Sequence, residues 1–344
     1  MKRLLWIMAA LAIVLGACSN ATDSARAIEE DPPLVGLDIG ALTSLDDIYF
    51  SQRESINVKL GLAGASSFSI DPSGSLPSGL SMDSTGLITG TADVVEADTT
   101  ANFTVVSDTS VEKPITWTVK APRTQEITAS GDWTAPNDLG GYSTNTKISL
   151  QVLIAGGGGG GGKTFGNARS GGGGGGQVVE DEVLVAPGET ISVGIGAGGA
   201  GGYIPGNNNY ATLLGLPGGT TSFGSYLSAV GGGGGAAEIG PGVTPPGGNP
   251  GGASPAGTDG TGASGSGKNG KISTNKYNGG LITLGGGGAG TGSGINHPGG
   301  TGGGGTYHST STSSPGAPNT GGGGAGGVNN SGAAGGTGVV YVNY

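Results

Sequence analysis

Hydrophobic and polar residues alternate with a period of two in several short segments between residues 36 and 121. Such alternation buries one face of a strand and leaves the other face in water. The residues on the apolar face of these segments are Ile56, Val58, Leu60, Phe103, Val105, Ile115, Trp117 and Val119. Turn-forming sequences such as Asp71-Pro72-Ser73-Gly74 separate the segments. The pattern predicts an all-β unit at 36–121, most simply an immunoglobulin-like sandwich.

A second set of alternating segments follows residue 122, and these segments adjoin runs of glycine. Ile148, Leu150, Val152 and Ile154 lead into the glycine run at 156–162. Further strand-like segments lie at 177–185, 190–195, 220–230 and 338–344. The sequence therefore predicts a second unit at 122–344, in which four or five strands frame glycine-rich inserts.

Glycine dominates this second unit, because only nine of the 81 glycines precede residue 126. Glycine offers no side chain for a core, and its ordering costs more backbone entropy than that of any other residue. Three-fold extended helices of glycine make no internal hydrogen bonds, but side by side they can exchange N–H···O=C bonds with no Cβ between them. The composition thus predicts strands that frame packed polyglycine II-type helices. A disordered low-complexity tail is the alternative.

The first residues have the pattern of a targeting segment. Lys2 and Arg3 precede an apolar run at 4–15 that is short for a transmembrane helix. The run ends in Leu15-Gly16-Ala17-Cys18, which resembles the bacterial lipobox and contains the only cysteine of the chain. This resemblance implies a signal peptide at 1–17, a membrane-anchoring lipid on Cys18 and a flexible tether at 18–35. In lipoproteins of this kind, Ser19 in place of Asp is compatible with sorting to the outer membrane, which the resemblance therefore implies. A plain secretory signal is the alternative.

The balance of charge limits the choice of partners. The formal net charge is −10, and no cluster of Lys and Arg is available to neutralise phosphates, so we expect no binding to nucleic acid. Charged residues are sparse after residue 122, so charge would steer few partners to the glycine-rich unit. Shape, backbone hydrogen bonds and scattered aromatic residues would have to provide recognition there.

The segment 76–91 carries a more specific signature in the first unit. The segment resembles the bacterial Ig-like (cadherin-like) repeat in three features. It begins with Leu76-Pro77-Ser78-Gly79-Leu80, has a turn at Gly86 and ends with Ile88-Thr89-Gly90-Thr91. The residues of the segment that can fill a core are Leu80, Met82, Leu87 and Ile88. The resemblance implies a sandwich that acts as a spacer or adhesion module. Some relatives bind calcium, but the acids Asp46, Asp47, Asp83 and Asp93 lack a recognisable ligand spacing.

The second unit resembles the glycine-rich domain of phage tail-fibre adhesins and bacterial surface proteins. The matching segments include 130–136, 148–162, 191–199 and 218–224. In some of those adhesins, parallel polyglycine II helices carry variable loops at one tip, and these loops contact the receptor. The resemblance and the loop composition predict ligand-binding residues in the loops at 203–210, 273–279 and 306–314, namely Tyr203, Asn207, Asn208, Tyr210, Tyr277 and Tyr307. Alternatively, each tyrosine caps the lattice and shields it from water.

No group of residues indicates catalysis. Residues 157–164 match the P-loop pattern, but the next segment leads into another glycine run at 171–176 instead of the helix that would receive phosphates. His297 and His308 have no Cys, Asp or Glu nearby in the sequence to complete a metal site or a catalytic dyad. We therefore predict that the protein is not an enzyme and has no nucleotide, metal or cofactor.

Together these patterns predict a lipid-anchored protein of the bacterial cell surface. Its Ig-like module would be a spacer, and its glycine-rich loops would bind a carbohydrate or a protein on another surface. One alternative is a phage tail-fibre-type receptor-binding protein, although virion proteins seldom carry a lipobox. A purely structural envelope protein is the other alternative.

Overall fold

A computed structural model of the protein describes residues 35–40, 45, 56–137, 147–164, 169–203, 214–237, 265–275, 279–291, 295–309, 313–328 and 331–344. The described residues form nineteen strands and no helix, so the predicted all-β class is confirmed. Accordingly, this part of the chain contains no helix that could cross a membrane.

The first unit is a sandwich of two small sheets. Its strands are β1 (Val35–Asp38), β2 (Ile56–Gly61), β3 (Phe68–Ile70), β4 (Leu80–Met82), β5 (Leu87–Gly90), β6 (Thr99–Ser107) and β7 (Glu112–Val119). One sheet has the order β1-β2-β5-β4 and the other the order β3-β6-β7. Within these two sheets, β1 and β2 form a parallel pair and the other described pairs are antiparallel. The apolar positions predicted from the alternation form the core, with Trp117 and Val58 fully buried.

The signature segment forms the β4–β5 hairpin of this sandwich. Gly86 has a φ of 80° and its N–H donates to the carbonyl of Asp83 at 3.0 Å, which closes the predicted turn. Ile88 is fully buried, and Leu80 and Met82 pack against the core from partly buried positions. Leu87 does not join the core, because it alternates with Ile88 and so lies on the opposite face of β5.

The second unit contains more strands than the four or five predicted. They are β8 (Thr124–Ile127), β9 (Gly131–Thr134), β10 (Ile148–Ala155), β11 (Lys163–Thr164), β12 (Val178–Val185), β13 (Thr190–Gly194), β14 (Thr221–Phe223), β15 (Leu227–Ala229), β16 (Lys271–Thr274), β17 (Leu281–Leu284), β18 (Gly327–Val328) and β19 (Val339–Asn343). The sheets β12-β10-β19-β8 and β15-β14-β13-β9 enclose a core that includes Leu150, Phe223 and Val342. The β16–β17 hairpin covers the outer face of the first sheet, where Leu284 packs against Leu153.

Six strands of this second sandwich continue directly as glycine-rich tracts. Strand β10 runs into 156–162, β13 into 196–202 and β15 into 231–236. The tracts 171–176, 215–219 and 332–338 lead in the other direction, into β12, β14 and β19. With 321–327 they form one bundle, in which 156–162 (the central tract) is surrounded by the six others (the outer tracts).

Hydrogen bonds of the central tract change partner at each residue and repeat every three residues. Its N–H groups donate to three antiparallel outer tracts at 2.8–3.0 Å. Gly156, Gly159 and Gly162 donate to Gln177, Gly174 and Gly171 along one outer tract. Gly157 and Gly160 donate to Gly219 and Leu216 of a second, and Gly158 and Gly161 donate to Gly336 and Ala333 of a third. A β-strand alternates between two directions, whereas a three-fold helix points successive residues in three. The central tract is therefore a polyglycine II-type helix, as predicted.

The carbonyl groups of the central tract bond to the other three outer tracts, which run parallel to it. The carbonyls at 157 and 160 accept from Gly232 and Gly235, those at 158 and 161 from Gly199 and Gly202, and those at 159 and 162 from Gly324 and Gly327. The outer tracts also bond to one another in the ring order 171–176, 231–236, 215–219, 196–202, 332–338 and 321–327. Chain direction thus alternates around the ring, in contrast to the parallel arrangement implied by the resemblance.

Candidate functional site

The interior of the bundle has no room for a side chain. A Cβ built on any glycine of the central tract would lie 2.0–2.4 Å from a carbonyl oxygen of a neighbouring tract. Real Cβ atoms do not approach oxygen this closely, so the core of the bundle consists of main chain only. Groups that could bind a ligand must therefore lie on the outer faces of the bundle or at its ends.

The P-loop-like pattern is part of this bundle. All N–H groups from Gly157 to Gly162 donate to backbone carbonyls of other tracts, whereas a P-loop offers its N–H groups to phosphate. Lys163 and Thr164 form β11, which pairs in parallel with β18, and they are 8% and 2% exposed. The N–H groups of 157–162 are thus engaged in hydrogen bonds within the bundle, and Lys163 and Thr164 are part of β11.

The tract ends from which the connections leave lie together at the end of the bundle away from the sandwich, which we call the distal end. Gly161 and Gly162 hydrogen-bond to Gly171, Gly202 and Gly327, and each of these three residues adjoins a connection. The connections are 163–170, 203–214 and 328–331, and the chain also leaves the 231–236 tract there. Thr291 donates its N–H to Ser170 at 2.9 Å, so the segment around it reaches the same end. Residues 165–168, 204–213 and 329–330 lie outside the described part.

Tyr203 lies at the distal end and is 61% exposed. It follows Ala197 and Ala200 at intervals of three residues, and all three side chains are exposed because they share the outward face of the three-fold 196–202 tract. Leu216 is 56% exposed and donates its N–H to the Ala200 carbonyl at 2.8 Å, so it lies beside this face. Leu214 is also exposed. We call this apolar surface, formed by Ala197, Ala200, Tyr203, Leu214 and Leu216, the rim patch.

Tyr307, by contrast, is only 5% exposed and packs with Ala289 and Ala325. Its backbone forms an antiparallel bridge with His297, and the two rings stack with their centroids 6.2 Å apart. Burial raises the pKa of the Tyr307 hydroxyl. So little exposed surface suits a cap on the bundle better than contact with a ligand.

The three predicted recognition loops do not share one location. The described residues Tyr203 and Tyr307 of two of these loops lie at the distal end, whereas the described ends of 273–279 lie at the opposite end of the sandwich, where β16 ends and β17 begins. There Asn275 donates its amide to Asn343 Oδ1 at 2.8 Å, and Asn343 pairs with Gln151 on the side of β10 away from the glycines. Five predicted residues fall outside the described part of the chain, namely Cys18, Asn207, Asn208, Tyr210 and Tyr277.

Sequence reasoning missed a polar network that fixes the β16–β17 hairpin on its sheet. Glu180 lies in the charged run Glu180-Asp181-Glu182, and its carboxylate accepts from Gln151 Nε2 at 2.6 Å and from Ser273 Oγ at 2.5 Å. Gln151 and Ser273 are about nine-tenths or more buried. The available signal was Gln151, a long polar residue between the apolar Leu150 and Val152 of β10.

The described residues contain no cluster of three or more His, Cys, Asp or Glu side chains that could hold a metal ion.

Two regions of the chain match models of known families. Residues 42–147 match the family described as "Putative Ig domain", and residues 132–344 match the family described as "Glycine-rich domain". No curated protein matches the chain. Since the second match covers more than half of the chain, the protein belongs to the glycine-rich domain family, and an Ig-like domain precedes its glycine-rich part.

Proposed function

We propose that this protein is a lipid-anchored lipoprotein of the bacterial outer membrane that binds a ligand on another surface through the distal end of its glycine-rich bundle. The Ig-like and glycine-rich families fit a surface or adhesin-type protein. The Ig-like module then serves as a spacer. Binding, and not catalysis, is the proposed activity.

One observation carries this proposal. The bundle excludes side chains from its interior, and the tract ends that lead into the connections lie together at its distal end. A rigid scaffold with variable connections at one end is the general design of loop-based recognition. The sandwich and the Ig-like module occupy the other end, toward the proposed anchor.

The expected ligand is uncharged at the point of contact. The chain contains no charged residue between Glu189 and Glu238, which covers the whole rim patch and the 204–213 connection. Exposed tyrosine next to Asn-rich sequence provides a flat apolar face together with hydrogen-bonding groups. This chemistry suits a neutral carbohydrate or an uncharged protein surface, and it does not suit nucleic acid.

Replacing Tyr203 and Tyr210 together with Ala is expected to weaken binding at least about tenfold, because exposed tyrosines at the centre of an interface are common hot spots. The measurement is binding of the fluorescently labelled protein to an array of neutral and acidic oligosaccharides and to isolated bacterial envelopes. The folded state should persist, since the Tyr203 side chain is 61% exposed.

The matched control is Tyr226→Ala, which removes another exposed tyrosine from the same domain. Tyr226 lies in the turn between β14 and β15, at the end of the sandwich away from the bundle. Its loss should leave binding unchanged. Equal binding by the double variant and the parent would refute the distal end as the recognition surface, and uniform attachment to every surface would favour a purely structural envelope protein.

Cys18→Ala is expected to abolish incorporation of palmitate and to move the protein from the membrane fraction to the soluble fraction. The reason is that the proposed lipid on Cys18 provides the anchor. Labelling with a palmitate analogue, followed by fractionation of inner and outer membranes, measures both effects, and Ser19→Ala is the control. Unchanged labelling would contradict the anchor, and recovery of the protein in purified phage particles would favour the tail-fibre alternative.

A further inference from the structure

The two units are joined by residues 120–123, which lie between β7 of the Ig-like module and β8 of the glycine-rich domain. Arg123 already belongs to the second unit. Its N–H donates to the carbonyl of Tyr344 at 2.8 Å, and the N–H of Tyr344 donates back to its carbonyl at 3.0 Å, so the pair extends the β8–β19 ladder. Any contact between Arg123 and the Ig-like module therefore links the two units.

Asp98 of the Ig-like module makes such a contact. It immediately precedes β6, and its Oδ1 accepts the N–H of Ala121 at 3.0 Å. Its Oδ2 lies 3.1 Å from Arg123 Nη2 and 3.4 Å from Lys120 Nζ. The hydrogen bond from Ala121 and the two positive charges lower the pKa of the Asp98 carboxyl. One carboxylate thus holds three of the four linker residues.

The fourth linker residue, Pro122, restricts the same segment covalently. Its ring fixes its own φ near −65° and biases the preceding Ala121 toward an extended conformation. Each exposed ion pair contributes only about 0–1 kcal/mol by itself. In a linker that already has few free dihedral angles, such a modest contribution is enough to select one conformation.

We infer that Asp98 is an inter-domain clamp that holds the linker in one conformation and so fixes the direction in which the Ig-like module presents the glycine-rich domain. The clamp concerns the joint between the units, so it does not depend on what the distal end binds. With the clamp, the two units move as one rigid body. A free linker would allow the glycine-rich domain to change its orientation relative to the Ig-like module.

Double electron–electron resonance between spin labels on the two units tests the clamp. Labels at Ser81→Cys and Ser228→Cys, both at exposed strand positions, report the distance in a Cys18→Ser background. The parent should give a single narrow distance distribution. Asp98→Ala should broaden it roughly twofold or more, because the released linker samples several conformations. Circular dichroism should show that both units stay folded, together with the fluorescence of Trp117 in the Ig-like module and of Trp133 in the glycine-rich domain.

Asp71→Ala is the matched control, because it also removes one hydrogen-bonded Asp from the Ig-like module. Asp71 accepts hydrogen bonds from Ser73 within its own turn, away from the linker, so the distribution should stay narrow. Arg123→Ala removes the clamp from the other side and should broaden the distribution even if Asp98→Ala perturbs the module. A broad distribution in the parent, or narrow distributions in both clamp variants, would overturn the inference.

Discussion

Gly159→Ala is expected to destabilise the glycine-rich domain by at least about 3 kcal/mol, the upper end of the usual penalty for overpacking. The added Cβ would lie 2.0 Å from the carbonyl oxygen of Gly233, in the helix surrounded by all six outer tracts. The obstacle is main chain, which no side-chain rotation can relieve. Replacing Gly by Ala also lowers the entropy of the unfolded chain, but that gain is at most about 1 kcal/mol.

Calorimetry can measure this effect in the whole protein, because the Ig-like module provides an internal reference transition. A loss of about 3 kcal/mol corresponds to a Tm lower by roughly 10 °C for a domain of this size. The control is Gly131→Ala in β9 of the same domain, where a Cβ would have no neighbour within 4 Å. It should change stability by less than about 0.5 kcal/mol. Equal stability of the two variants would contradict a main-chain core.

The same close packing explains where the functional groups of the domain can lie. In an ordinary sandwich a core residue can be exchanged for a polar one at some cost, and cavities can form. Here the central tract accepts no side chain at any of its seven positions. Variation in sequence, and with it the proposed recognition, is confined to the outward faces of the outer tracts and to the connections. The rim patch combines both kinds of position, since Ala200 lies on an outward face and Tyr203 begins a connection.

Local patterns in the sequence were sufficient to predict much of this fold. Alternation identified β2, β6, β7 and β10, because a half-buried strand imposes a period of two on its own residues. The turn at Gly86 followed from its local sequence. The three-fold glycine helices followed from the lack of side chains, which leaves backbone hydrogen bonds as the available source of cohesion.

Features that depend on contacts between distant segments were not predictable in this way. The burial of Tyr307 follows from His297 and Ala325, which are brought to it by separate segments. The position of 273–279 at the end of the sandwich depends on the β16–β17 hairpin, which docks through Glu180 and Ser273. Loops of similar composition therefore reach opposite ends of the domain. One informative pattern was present but unused: the non-glycine residues at 197, 200 and 203 recur every three positions.

The second large expected effect is on stability, and it follows from this three-residue interval in a single outer tract. In 196–202, substitutions should be tolerated every third residue and rejected in between. Ala200 has its side chain on the outward face, so Ala200→Ser should change stability by less than about 0.5 kcal/mol. Gly199 is its immediate neighbour, but a Cβ there would lie 2.0 Å from the carbonyl oxygen of Leu216. Gly199→Ala should therefore cost about 3 kcal/mol or more.

A scan of the whole tract extends this comparison, with chemical denaturation as the measurement. The added Cβ of Gly196, Gly198 or Gly201 would lie 1.9–2.2 Å from a neighbouring carbonyl oxygen, so each Ala variant should be strongly destabilised. Ala197→Ser should resemble Ala200→Ser, because both residues share the exposed face. A strand in place of the helix would instead tolerate every second residue, and a disordered tract would tolerate all of them. Since each arrangement has its own period, the scan distinguishes a three-fold helix from both alternatives by measurements of stability alone.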